Sequence, residues 1–100
     1  MTMTLDEYQI AAQKTDEKTD NLIIPLLGLA SETGTILAEY KKLLRDGEAH
    51  ERFGDLVAED LGDILWYVAN VATKCRIELS AIAESNLEKT QNRFVCLRVP

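Results

Sequence analysis

Histidine occurs once and cysteine twice in this chain, and each scarcity removes a class of chemistry. A zincin site needs two histidines on one helix, and a histidine-containing di-iron bundle needs paired Glu-x-x-His motifs. His50 alone serves neither, and in a predicted loop it is expected to be exposed. Cys75 and Cys96 form no paired ligand motif, and two thiols make no disulfide framework. No segment reaches the roughly 18 apolar residues that span a bilayer. No basic stretch followed by an apolar run opens the chain, so no signal peptide is expected and a cytoplasmic protein is. A Gly-rich phosphate loop ending in Lys-Ser/Thr is missing, as is the spaced acidic loop of an EF-hand. Basic residues number 11 against 17 acidic ones, a net charge of −6. That balance disfavours nucleic-acid polymers, whose backbones bind mainly to basic surface. An anionic substrate then needs a metal ion to bridge acid to phosphate.

What is present is an ordinary globular composition, 46% hydrophobic and 28% charged. The length of 100 residues predicts one domain with a small core, which helix pairing between subunits would supplement. Four helical segments fit the pattern. Thr4-Leu5-Asp6-Glu7 reads as a capping box that starts a short helix ending near Lys14. Thr15 to Asn21 is a polar connection. A second helix begins near Leu22, tolerates Pro25 in its first turn and ends at Asp46-Gly47. Leu22, Leu26, Leu29, Ile36, Leu37, Tyr40 and Leu44 recur along it at helical spacing. After a connection over Glu48 to Gly54, a third helix runs from about Asp55 to Lys74, with Val57, Leu61, Ile64, Leu65, Val68 and Ala72 as its expected core stripe. Ser80 is a candidate N-cap for a fourth helix ending near Arg93. Phe94 to Pro100 is an apolar tail, read as packing on the bundle or as disordered. The expected fold is therefore an all-α, antiparallel bundle of about four helices over residues 1–93, completed by oligomerisation, with 94–100 as a tail.

Carboxylates collect on two of these helices. At 100° per residue, Glu32 and Glu39 fall within about 20° of one another on the second helix, with Thr35 between them. On the third, Glu59, Asp60 and Asp63 share one side over about 100°, and Trp66, Tyr67 and Asn70 continue it. A merely solvated face rarely carries a Trp-Tyr pair, so this side is expected to meet a partner subunit, another helix or a ligand. Packed side by side, the helices present Glu32 opposite Asp60 and Asp63. Such oxygen ligands suit Mg²⁺ or Mn²⁺. The alternative is a solvated acidic face paired with Lys41, Lys42 or Arg45. Lys41, Lys42 and Arg45 reach phosphates or simply end the helix by complementing its dipole. Trp66 and Tyr67 stack on a nucleobase or pack at a subunit interface. Gly34 and Gly62 each cost about 1 kcal/mol of helix propensity, either as sites of close approach or as tolerated weak positions.

Three runs carry a resemblance: Gly28-Leu-Ala-Ser-Glu-Thr-Gly34, Asp60-Leu-Gly-Asp-Ile-Leu-Trp-Tyr67 and Asn86-Leu-Glu-Lys89. Over roughly Leu22 to Arg93 the chain resembles the MazG-type nucleoside triphosphate pyrophosphohydrolases. That family pairs Glu-Glu-x-x-Glu on one helix with Glu-x-x-Asp on the next to hold Mg²⁺. The resemblance implies an all-α homodimer or homotetramer that splits NTPs or dNTPs into monophosphate and pyrophosphate. By position, Glu32 matches the second Glu of the first motif, and Asp63 closes the second motif. Asn86, Lys89 and Arg93 match the phosphate-side group. The implied site is Glu32, Asp60 and Asp63, with Glu39 one turn beyond Thr35, and Glu32 or Glu39 is the candidate for activating water. The sequence departs from the pattern in three places. Ser31 and Thr35 stand where the first and third Glu belong, and Asp60 replaces the Glu of the second motif. The departure at Thr35 keeps open a rival reading, a helical oligomer that has lost the metal chemistry.

Overall fold

Local capping chemistry sets the first element. Thr4 Oγ1 accepts from the Glu7 N–H at 3.1 Å, and Glu7 Oε1 accepts from the Thr4 N–H at 3.0 Å, a reciprocal box that starts helix α1, Leu5–Gln13. The computed structural model describes residues 2–16 and 21–98, with side chains at all of them except 49 and 94–98. Part of the predicted 15–21 connection therefore lies outside the described residues. Helix α2, Ile23–Asp46, stops at Gly47, whose φ of 58° suits a residue without Cβ. A 3₁₀ turn, Gly47–Ala49, leads to α3, Phe53–Lys74, and then α4, Leu79–Arg98. The described chain is all-α, and among the described residues no helix is long and apolar enough to cross a membrane.

Helix α3 starts two residues before the expected Asp55, and both ends of α4 differ from the sequence reading. Helix α4 continues through the predicted tail to Arg98. Its start also needs no side chain of its own, because Ser80 lies within the first turn and is not the N-cap. Asp6 on α1 accepts from both the Ser80 N–H (3.1 Å) and its hydroxyl (2.8 Å), while Gln9 Oε1 accepts from the Leu79 N–H at 2.8 Å. The orphan donors of α4 are thus satisfied from α1. Upstream, α3 ends in a Schellman arrangement: the Ile77 N–H donates to Ala72 O and the Arg76 N–H to Thr73 O. Arg76 takes the left-handed position with φ 60°, where glycine is usual.

Helices α2 and α3 form an antiparallel hairpin. Gly28 lies against Tyr67, and Tyr40 against Phe53 with ring centroids 6.1 Å apart. A Cβ at Gly28 would run into the Tyr67 ring, so this is the glycine that permits close approach. Gly34 and Gly62 have open space around them. Helix α1 covers the C-terminal half of α3. There Ala12, Ala69 and Leu79 make the core, with Tyr8, Trp66 and Val68 packed on it. Trp66 Nε1 donates to Thr15 Oγ1 at 2.8 Å, so the aromatic side of α3 meets the chain's own first helix region.

The predicted apolar stripes split. On α3, Ala72 is buried, but Leu61 and Leu65 are exposed. On α2, Leu26, Leu37, Tyr40 and Leu44 are exposed as well. Leu26, Ala30, Thr33, Leu37, Tyr40 and Leu44 alternate by four and three residues, as do Ala58, Leu61 and Leu65, the spacing of a helix-pairing seam. Each seam lies about 120° round from the face its helix turns to the other. Because the helices run antiparallel, both seams fall on the same side of the hairpin. The core within one chain is small: among the described residues no large side chain is fully buried. The radius of gyration is 16.9 Å, against roughly 13 Å expected for a compact chain of this length.

Candidate metal centre

The hairpin brings three carboxylates together. Glu32 on α2 and Asp60 and Asp63 on α3 each offer an oxygen, all within 4.8 Å of one another. Asp60 is 9% exposed, and its Oδ2 is buried with no hydrogen-bond partner among the described residues. A buried carboxylate oxygen left without a donor is costly, and negative neighbours add repulsion. Desolvation, then the charges of Asp63, Asp60 and Glu59, raise the Glu32 pKa above the usual carboxylate value. The donor set is oxygen only, crowded and short of positive charge. It fits a hard divalent cation such as Mg²⁺ or Mn²⁺, which would supply the missing partner for Asp60.

Glu39 does not join this cluster. It is buried two turns further along α2, where its Oε2 meets His50 Nε2 at 2.8 Å and its Oε1 accepts from Lys42 Nζ at 3.3 Å. Desolvation pushes its pKa up, but hydrogen bonds from Lys42 and His50, and their charges, together hold it below the usual value. Glu39, expected as a metal ligand or as the group that activates water, is thus placed outside the gathered carboxylates. His50 was expected to be an exposed loop residue. The 3₁₀ turn folds it back onto α2, leaving its side chain 15% exposed. Its local sequence carries no sign of this, since the contact depends on the turn. Lys42 is accordingly committed to Glu39. The Thr35 hydroxyl donates to Ser31 O at 3.2 Å, back along its own helix.

Trp66 lies on the far side of the carboxylates from the 3₁₀ turn, beside a cavity of about 250 Å³ lined by Thr15, Pro25, Tyr67, Asn70 and Lys74 among others. Asn86, Lys89 and Arg93 are exposed on α4, whose packing within the chain is against α1. They are not among the residues gathered at the carboxylates. Tyr8 of α1 was not singled out by sequence reasoning. Its ring packs on the core between α1 and α3, and desolvation, then the charge of Asp63, raise its pKa.

No family model matches the chain, and no solved structure does. The chain is 38% identical over 102 aligned residues to the Gene 37 protein of Mycobacterium phage L5, an alignment that covers 91% of this chain and 89% of that protein. This chain belongs to the family of that Gene 37 protein.

Proposed function

We propose that the protein is a Mg²⁺-dependent nucleoside triphosphate pyrophosphohydrolase, acting on NTPs or dNTPs in the cytoplasm to remove unwanted nucleotides. The observation that carries this reading is the convergence of Glu32, Asp60 and Asp63, with one Asp60 oxygen buried and unpartnered. The motif resemblance to the MazG-type enzymes selects the reaction. Carboxylate geometry alone does not choose between phosphates.

In this reading Asp60 and Asp63 hold the metal from α3, and Glu32 approaches from α2. Bound Mg²⁺ supplies charge neutralisation on the triphosphate and a more acidic water. Glu32, with its raised pKa, suits a general base that orients and deprotonates the attacking water. The new bond joins that water oxygen to the α-phosphorus. The bond from the α-phosphorus to the bridging oxygen breaks, and pyrophosphate leaves with its electron pair. Asn86, Lys89 and Arg93 would stabilise phosphate charge from a second copy of the chain, since α4 carries them away from its own α2. The apolar seams on one side of the hairpin support a homodimer or homotetramer. Light scattering at micromolar concentration is expected to give at least a dimer, and a monomer would overturn the assembly.

The test of the reaction is ³¹P NMR of a dNTP incubated with protein and Mg²⁺. Monophosphate plus pyrophosphate is expected. Diphosphate plus orthophosphate would indicate a different phosphohydrolase. A second reading, a non-catalytic nucleotide-binding or interaction module, is favoured by one observation: Glu39, the carboxylate one turn beyond Thr35, is engaged with His50. Thr35→Glu separates the two readings. It is expected to tighten Mg²⁺ binding about tenfold if the site is one ligand short. A protein that turns over no nucleotide even with this change would be the module.

A further inference from the structure

We infer that the cavity between α2, α3 and the turn that follows α1 is the base-recognition pocket of the nucleotide whose phosphates sit at the carboxylates, and that Asn70 reads the base edge. This rests on the nucleotide reading above. Asn70 is 8% exposed, lines the cavity, and has a buried Oδ1 with no hydrogen-bond partner among the described residues. Buried amides without partners are rare, and a ligand that donates an N–H would complete this one. A planar ligand fits this space best, because Trp66 and Tyr67 present aromatic surface to it.

Position supports the assignment independently of the amide. Asn70 follows Asp63 by seven residues on one helix, which puts the cavity about 10 Å along α3 from the metal ligands. That is the order of the span from a nucleotide's phosphates across its sugar to the base edge. The volume of about 250 Å³ is smaller than the ~300–1,000 Å³ of pockets that enclose a whole drug-sized ligand. It therefore suits the base alone, with the sugar and phosphates outside toward Asp63. The Trp66 indole is held by its bond to Thr15, so one wall is fixed before a ligand arrives.

The experiment compares wild type and Asn70→Leu, a change of similar shape that removes the unpaired amide. Probes are inorganic tripolyphosphate and the deoxynucleoside α,β-imidotriphosphates, each with Mg²⁺ in a calorimeter. Asn70→Leu is expected to bind the nucleotides about tenfold more weakly and tripolyphosphate unchanged. Its melting temperature is expected to match or exceed that of wild type. Should the variant fail to fold, ¹⁵N NMR of wild type gives the same answer. Nucleotides are expected to shift the Asn70 side-chain amide and Trp66 indole signals, and tripolyphosphate to leave both unmoved. Wild-type affinity for nucleotides in Asn70→Leu, or an unmoved Asn70 amide, overturns the pocket and leaves the carboxylate reading standing. Failure of wild type to bind tripolyphosphate and nucleotides alike overturns both.

Discussion

Glu32 and Glu39 stand two turns apart on the face that α2 turns toward α3, and they meet opposite company. Asp60 and Asp63 lie across from Glu32, and desolvation and their charges raise its pKa. His50 and Lys42 surround Glu39, and their hydrogen bonds outweigh desolvation to lower it. On a helical wheel the two glutamates are equivalent. The facing element makes one a candidate ligand and base, and gives the other a hydrogen-bond partner in His50. Spacing along one helix therefore identifies which side chains share a face, but the role of each is set by what the fold brings against that face.

Neutralising one carboxylate in each region is expected to have the largest and most unequal effects. Asp63→Asn removes a member of the acidic cluster from an exposed position, so the core is spared. Mg²⁺-dependent turnover is expected to fall at least about a hundredfold with little change in melting temperature. Glu39→Gln, measured in the same assay, is expected to keep turnover within about threefold, because a residue outside the metal site affects it only indirectly. The reverse pattern would move the active site to the His50 end of the hairpin.

Parts of this arrangement were legible in the sequence because they depend on local rules. The Thr4–Glu7 capping box and the Gly47 stop are written within a few residues. The gathering of Glu32 with Asp60 and Asp63 required one further step, that two amphipathic helices joined by a short connection lie side by side. What escaped was non-local. Asp6 and Gln9 cap a helix more than 60 residues away, and Arg76 ends α3 in a conformation that the sequence marks with no glycine. His50 gains its partner only once the 3₁₀ turn has formed. The apolar stripes were read correctly as apolar. Periodicity does not say whether a stripe is covered by the same chain, and here Leu37, Leu44 and Leu61 are left exposed by it.

A smaller effect separates the two glutamates by stability alone. At pH 7 Glu32 is ionised among like charges, so Glu32→Gln is expected to raise the melting temperature by a few degrees in metal-free buffer. The same change is expected to weaken Mg²⁺ binding about tenfold. Glu39→Gln is expected to lower the melting temperature, since it leaves His50 and Lys42 without their anion. Thermal melts monitored by circular dichroism, with and without Mg²⁺, decide both. Equal shifts of one sign would mean that the two environments do not differ as described.

The smallest expected effect is the acid limb of stability, and its sign differs between the two sites. Glu39 has a folded pKa below its unfolded value. The stability it contributes is fully present above the unfolded pKa and is lost as pH falls through the folded one. Glu32 has a folded pKa above its unfolded value. Its ionisation destabilises the fold at neutral pH, and that cost is relieved as pH falls through the raised folded pKa. In wild type the two contributions oppose each other as pH drops from 6 toward 3. Removing Glu39 leaves only the relief at Glu32, so Glu39→Gln is expected to lose less melting temperature on acidification than wild type. Removing Glu32 leaves only the loss at Glu39, so Glu32→Gln is expected to lose more. Melts across this range in metal-free buffer rank the three proteins. If Glu39→Gln were the most acid-sensitive, the His50 and Lys42 contacts would not be what holds Glu39 ionised.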